Sequence, residues 1–201
     1  MNTLRNILAL LVALALLVAI PTTIGAEKKD RPEQIRATLI GYEEVPSVST
    51  VASGRFSGTI DSIGESIDYE LTFSGLQGTV AQSHIHFAQK GVNGSVVIWL
   101  CQTTGTPAPP AVAAITPFCP QTGTVTGHIT TANVVAASTT SQLIVAGELA
   151  EVIAAIKAGV AYANVHSTPL TPGGEIRGQI RVGDDDDDHD HGGGNDKHDH
   201  D

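Results

Sequence analysis

Positive charge is what this sequence has least of. Of 201 residues, 11 are Lys or Arg against 21 Asp or Glu, and charged residues of both signs make up 16% of the chain, where a soluble domain usually has about 25%. The bases form no stripe able to neutralise phosphates, which excludes nucleic acid as a partner. Heptads are missing and the glycines follow no period of three, so coiled coil and collagen are excluded. A single long apolar run excludes a multi-pass membrane protein. There is no Gly-x-Ser-x-Gly elbow, no phosphate-binding loop and no dinucleotide fingerprint. The Asp residues near His in the sequence fall in an acidic C-terminal segment, so Ser-His-Asp chemistry has no support.

The charge that is present is unevenly placed. Asp184 to Asp201 contains nine Asp and one Lys, a net of −8, while the other 183 residues carry 12 acids and 10 bases, a net of −2. The acidity therefore belongs to a tail. That tail, residues 184–201, has no apolar residue and repels itself, so disorder is expected. Its His189, His191, His198 and His200, mixed with aspartate, suit weak binding of divalent metals. It lacks the Gly and closing Glu of an EF-hand. The alternative is a solvated tail that keeps a neutral domain soluble.

At the other end, residues 1–26 read as an export signal. Arg5 precedes an unbroken apolar run from Ile7 to Ile20, short of the ~20 residues a membrane span needs. Pro21 breaks the run, and Thr22 to Ala26 offers small residues for cleavage after Ala26 or Gly25. An uncleaved anchor is the competing reading. No Cys adjoins the cleavage site, so lipoprotein attachment is not available. The expectation is a secreted or periplasmic protein with no membrane span once the signal is removed.

Residues 27–183 are enough for one domain with a real core, and alternation with a period of two dominates them. Ile67, Tyr69, Leu71 and Phe73 share one face, with Asp68, Glu70, Thr72 and Ser74 on the other. Phe56, Gly58 and Ile60 alternate with Ser57, Thr59 and Asp61. Ile176, Gly178, Ile180 and Val182 alternate with Glu175, Arg177, Gln179 and Arg181. These are half-buried strands. Val96 to Leu100 is continuously apolar, as for a strand covered on both faces, and Asn93-Gly94 before it signals a turn. An all-β antiparallel sandwich or barrel is predicted, of the immunoglobulin-like or superoxide-dismutase-like kind. One short helix is expected over Glu148–Lys157, where Leu149, Val152, Ile153 and Ile156 recur at helical spacing and Gly159 can cap. Cys101 and Cys119 are expected to pair in an exported protein. The bridge would close a loop of about 18 residues and stabilise by roughly 3 kcal/mol. A metal-binding Cys pair is the competing reading and lacks nearby partners.

The polar residues with chemical potential fall on few strands. In Ser83-His84-Ile85-His86-Phe87, the two imidazoles stand side by side on one face, able to chelate one ion. Tyr162, Asn164 and His166 share a face in the same way, and Pro172-Gly173-Gly174 is expected to turn the chain into Glu175-Ile176-Arg177, where Glu175 and Arg177 share a face too. If these strands are neighbours, His84, His86, His166, Glu175 and Arg177 gather. Three His are the ligand set of an open zinc or copper site, with Asn164 or Glu175 able to hold a second ring nitrogen. The plain alternative is that the His residues bond only to backbone or carboxylate, and that Glu175 and Arg177 form a structural salt bridge. His128 has no such company and is expected to be an exposed strand residue.

In order, Gly41-Tyr42-Glu43-Glu44-Val45-Pro46, Ser83-His84-Ile85-His86, Asn93-Gly94-Ser95-Val96-Val97, Asn164-Val165-His166 and Pro172-Gly173-Gly174-Glu175-Ile176-Arg177-Gly178-Gln179 resemble the CHRD domain, named from chordin. The match runs from about Ile35 to Val182, and the insert holding Cys101 and Cys119 is longer than the family pattern. The resemblance implies an extracytoplasmic β-sandwich with no catalytic residues to carry over. A fainter likeness to copper/zinc superoxide dismutase lies in Ser74-Gly75-Leu76 leading to His84-Ile85-His86, with His166 as the later copper ligand. The zinc-loop His and Asp cluster has no counterpart. Three functions follow as expectations. The first is a binding module that takes a divalent metal, zinc or copper, or an extracytoplasmic protein or matrix partner. The second is a structural or adhesive matrix protein without metal. The third is a copper-dependent, superoxide dismutase-like oxidoreductase.

Overall fold

The computed structural model describes residues 31–169 and 171–183. The expected export signal (1–26) and acidic tail (184–201) lie outside the described residues. Among the described residues, nine strands make up one antiparallel sheet: β1 Glu33–Ile40, β2 Ser53–Ile60, β3 Ile67–Ser74, β4 Thr79–Phe87, β5 Ser95–Cys101, β6 Gly123–Ile129, β7 Ala161–Thr168, β8 Thr171–Gln179 and β9 Arg181–Val182. Their order is β5-β4-β7-β8-β1-β2-β3-β6, with β9 paired to β1. The sheet rolls until its two outer strands approach, as a nearly closed barrel. Tyr69 of β3 donates its hydroxyl to the Leu100 carbonyl of β5 at 2.5 Å. A disulfide joins Cys101, the last residue of β5, to Cys119 ahead of β6.

Alternation places the core where the sequence puts it. Phe56 and Ile60 of β2 and Ile67, Leu71 and Phe73 of β3 are fully buried, each contributing roughly 1.5–3 kcal/mol by leaving water. They meet Ile85, Ile98, Leu100 and Ile176 from the opposite wall. Helix α2 (Leu149–Lys157) adds Leu149, Val152, Ile153 and Ile156 to the same core. It stops at Gly159, whose φ of +70° only glycine adopts without strain. A second, one-turn helix α1 (Pro110–Ala113) was not expected. It starts on Pro110, preorganised for a first turn, inside the disulfide loop. Buried Gln102 holds that loop, donating to the carbonyls of Ala113 and Thr116 at 2.7 Å each.

Three local expectations are corrected. The apolar run of β5 is not covered evenly on both faces. Val97, Ile98 and Leu100 are buried, while Val96 and Trp99 are only half-buried, because β5 ends the strand path and a register shift against β4 breaks its alternation. The turn expected at Pro172–Gly174 comes earlier. Thr168–Pro169 is a cis peptide and Thr171 already belongs to β8. Finally, β7 and the second half of β8 are buried on both faces, polar side included. The segment after β1, beginning with a 3-10 turn at Gly41–Glu43, folds back near β8 and carries Glu44 inward.

Candidate metal centre

The strand order brings the predicted residues together. β4 and β7 are neighbours with His84 opposite Asn164 and Gln82 opposite His166, and β7 and β8 pair Asn164 with Arg177. On β4, Ile85 points into the core and the imidazoles of His84 and His86 point to the other side. There they are covered: His84 is 2%, His86 8% and His166 6% exposed. One ring nitrogen from each of the three lies within 4.8 Å of the others. His84 Nδ1 and His166 Nε2 are 3.3 Å apart. That is about the edge of a tetrahedron around an ion with bonds of ~2.0–2.1 Å to imidazole.

The surrounding groups orient these rings. His86 Nδ1 lies 2.9 Å from the Gly94 carbonyl, the backbone contact that fixes a ligand imidazole. Its Nε2 lies 3.1 Å from Asn164 Oδ1, and the same amide presents Nδ2 to His166 Nε2 at 2.8 Å. His84 stands edge-on to Trp99 at 4.3 Å, and its Nε2 is buried with no hydrogen-bond partner among the described residues. His86 stacks on Tyr162 at 4.6 Å, and Arg177 covers Tyr162 with its Cζ 3.3 Å from the ring centroid.

Burial governs the protonation states. It holds His84 well below the usual imidazole range, with the neighbouring His166 and His86 adding to the effect. Burial also lowers His86 to about 4, against the support of its bond to Gly94. His84 and His86 are therefore neutral at pH 7, the form in which imidazole ligates metal. Glu44 is the nearby acid. Burial raises it to about 7, opposed by the Arg177 guanidinium and by hydrogen bonds from the Val45 N–H and Asn164. Its Oε1 is buried without a hydrogen-bond partner among the described residues.

Other predicted residues take different roles. Arg177, 1% exposed, meets the centre by stacking over Tyr162 and through its charge beside Glu44 and His86. Its guanidinium donates to Asn93 Oδ1 at 3.2 Å and to the Val92 carbonyl at 2.8 Å. Glu175 accepts from Thr50 Oγ1 at 2.7 Å, from the Gln77 N–H at 2.8 Å and from Ser167 Oγ. It ties β7 and β8 to two loops. Burial would raise its pKa, but the bonds from Ser167, Gln77, Thr50 and Gly78 outweigh that and lower it. His128 is exposed as expected and contacts Asp68 at 2.7 Å. His189, His191, His198 and His200 lie outside the described residues.

Sequence reading missed Glu44, Trp99 and Gly94 as members of this neighbourhood. Glu44 and Gly94 occur in segments that the CHRD likeness singles out, but nothing in their spacing points at the imidazoles. Gly94 is required by close approach, since a Cβ there would fall on the Phe87 carbonyl oxygen. Gly174, at φ +130°, leaves room for the Glu44 carboxyl in the same way.

These convergent segments are those of a known family. The CHRD domain matches residues 35–180, and the chain belongs to the CHRD domain family. No curated protein and no solved structure matches it.

Proposed function

We propose that this chain is an exported binding module whose CHRD domain holds one divalent metal ion, zinc or copper, on His84, His86 and His166. The observation that carries the reading is the convergence of three buried imidazoles, with nitrogens within 4.8 Å of one another. Imidazole is a preferred ligand of both metals. The Gly94 carbonyl and the Asn164 amide would orient the ligands, and Glu44 would offset charge beside them. Burial beneath Trp99 and Tyr162 favours retention of an ion over turnover of a substrate, which needs an open position. The Cys101–Cys119 disulfide and the apolar start of the chain support export to an oxidising compartment. The acidic His-bearing tail would raise the local concentration of cations.

The test uses the full chain with its four tail histidines changed to serine, so that the tail does not mask the domain. After equilibration and dialysis this protein is expected to retain close to one equivalent of zinc or copper. Adding His84→Ala and His86→Ala should abolish retention. Undiminished retention by that variant would refute the domain site, and no retention by the parent would favour a metal-free structural role.

A further inference from the structure

Two of the three imidazoles have an aromatic residue directly across the ladder. Trp99 of β5 pairs with His84, and Tyr162 of β7 pairs with His86. Residues opposite each other on neighbouring strands share a face, so each ring meets its imidazole, Trp99 edge-on at 4.3 Å and Tyr162 stacked at 4.6 Å. Their surroundings differ. β7 runs inside the sheet, between β4 and β8, and Tyr162 is 2% exposed beneath the Arg177 guanidinium. A cation on that ring makes an electron harder to withdraw from it. β5 ends the strand path, and Trp99, the single tryptophan of the chain, is only half-buried. It touches a ligand of the centre while keeping part of its surface in water.

We propose that copper held on His84, His86 and His166 is a one-electron centre, which exchanges its electron through Trp99 with soluble donors and acceptors that never touch the ion. The inference rests on the metal reading above and selects copper from it, because zinc has no second oxidation state to use. In the forward step an outside donor loses one electron and Cu2+ becomes Cu+. No bond is made or broken and no proton moves, and an outside one-electron acceptor reverses the step. The ligand set favours the reduced ion. Imidazole ligates as a neutral group, the cluster holds no carboxylate or thiolate among the described residues, and both cysteines are in the disulfide. The cost of burying an ion rises with the square of its charge, so an ion bound by neutral ligands is easier to keep as Cu+ than as Cu2+. The Arg177 charge, which pushes His86 down, acts in the same sense. Glu44 opposes it only in part, since burial raises its carboxyl to about 7. With the imidazoles covered, the ligand ring that meets a half-exposed indole is the short route for an electron.

The full chain with its four tail histidines changed to serine, loaded with one equivalent of Cu2+, tests this. It is mixed with hexaammineruthenium(II), a donor that keeps its own ligands and binds no copper, and loss of the Cu2+ paramagnetic resonance signal gives the rate. Trp99→Leu is expected to slow the reduction about tenfold. Trp99→Phe, which keeps an aromatic ring against His84, should recover most of the rate. Copper content after dialysis, measured on the same samples, separates the two readings. A parent that retains copper but is not reduced, or a Trp99→Leu variant reduced as fast as the parent, overturns the electron route and leaves the metal centre standing. A parent that retains no copper removes both. A second readout needs no electron transfer from a donor. One equivalent of Cu2+ should quench the Trp99 emission where zinc does not, and His84→Ala with His86→Ala should abolish the quenching. Undiminished emission from the copper-loaded parent would also overturn the proposal.

Discussion

His86 faces two oxygen acceptors, the Gly94 carbonyl and Asn164 Oδ1, and as a neutral ring has one proton for them. Turning the Asn164 amide would serve His86, but it would leave the buried Nε2 of His84 without a partner. A cation among the rings would relieve the first defect, because it takes a lone pair of His86 where protons are too few, and it would meet His84 through Nδ1. In the metal-free chain the same burial makes the fold acid-sensitive. His84 and His86 titrate below their usual range, so on acidification below about pH 6.5 the unfolded chain takes up two protons that the folded chain refuses, and stability is lost. Glu44, raised to about 7, works the other way: folded, it keeps a proton that the unfolded chain has released above about pH 4.5. Between pH 6.5 and 4.5 the unfolded state thus binds about one proton more. Stability should fall by about 1 kcal/mol per pH unit. Denaturant midpoints of the chelator-treated protein measure this, and His86→Gln should flatten the slope. A midpoint that rises on acidification would contradict these assignments.

β4, β7 and β8 bury polar faces that an isolated reading of alternation would leave in water. The inward half of each strand was legible, because Ile85, Ala163, Val165 and Ile176 sit at period two and enter the core. The outward half was legible only as a list of residue types. What covers it is a turn and two loops, whose course depends on contacts distant in sequence. Gly94 shows how tightly they close. Its carbonyl meets His86 while its Cα faces the Phe87 carbonyl with no room for a side chain. Gly94→Ala is therefore expected to cost about 1–3 kcal/mol through overpacking and to weaken metal retention together with stability. Gly105→Ala, whose nearest neighbour atom is Thr103 Oγ1 at 4.0 Å, should stay within about 0.5 kcal/mol. Urea melts of the two variants check the contrast, and equal effects would remove the role given to Gly94.

Across the whole molecule, topology decides whether residues far apart in the chain meet. The motif order made three clustered imidazoles a conditional expectation, and the β4–β7 pairing fulfils the condition by bridging 82 positions from His84 to His166. Helix α2, the disulfide and the alternating strands could be read locally, since each rests on spacing within a short stretch. Glu44 could not, because it enters the centre from the turn after β1. The placing of Arg36 opposite Arg181 was likewise invisible until β9 was seen to pair with β1. The most direct test of the metal centre is zinc K-edge absorption fine structure on the zinc-loaded full chain lacking its tail histidines. Three imidazoles at ~2.0–2.1 Å from the zinc, falling to two in His166→Ala, is the predicted result. A spectrum dominated by carboxylate or water oxygens, or one unchanged by His166→Ala, would contradict it.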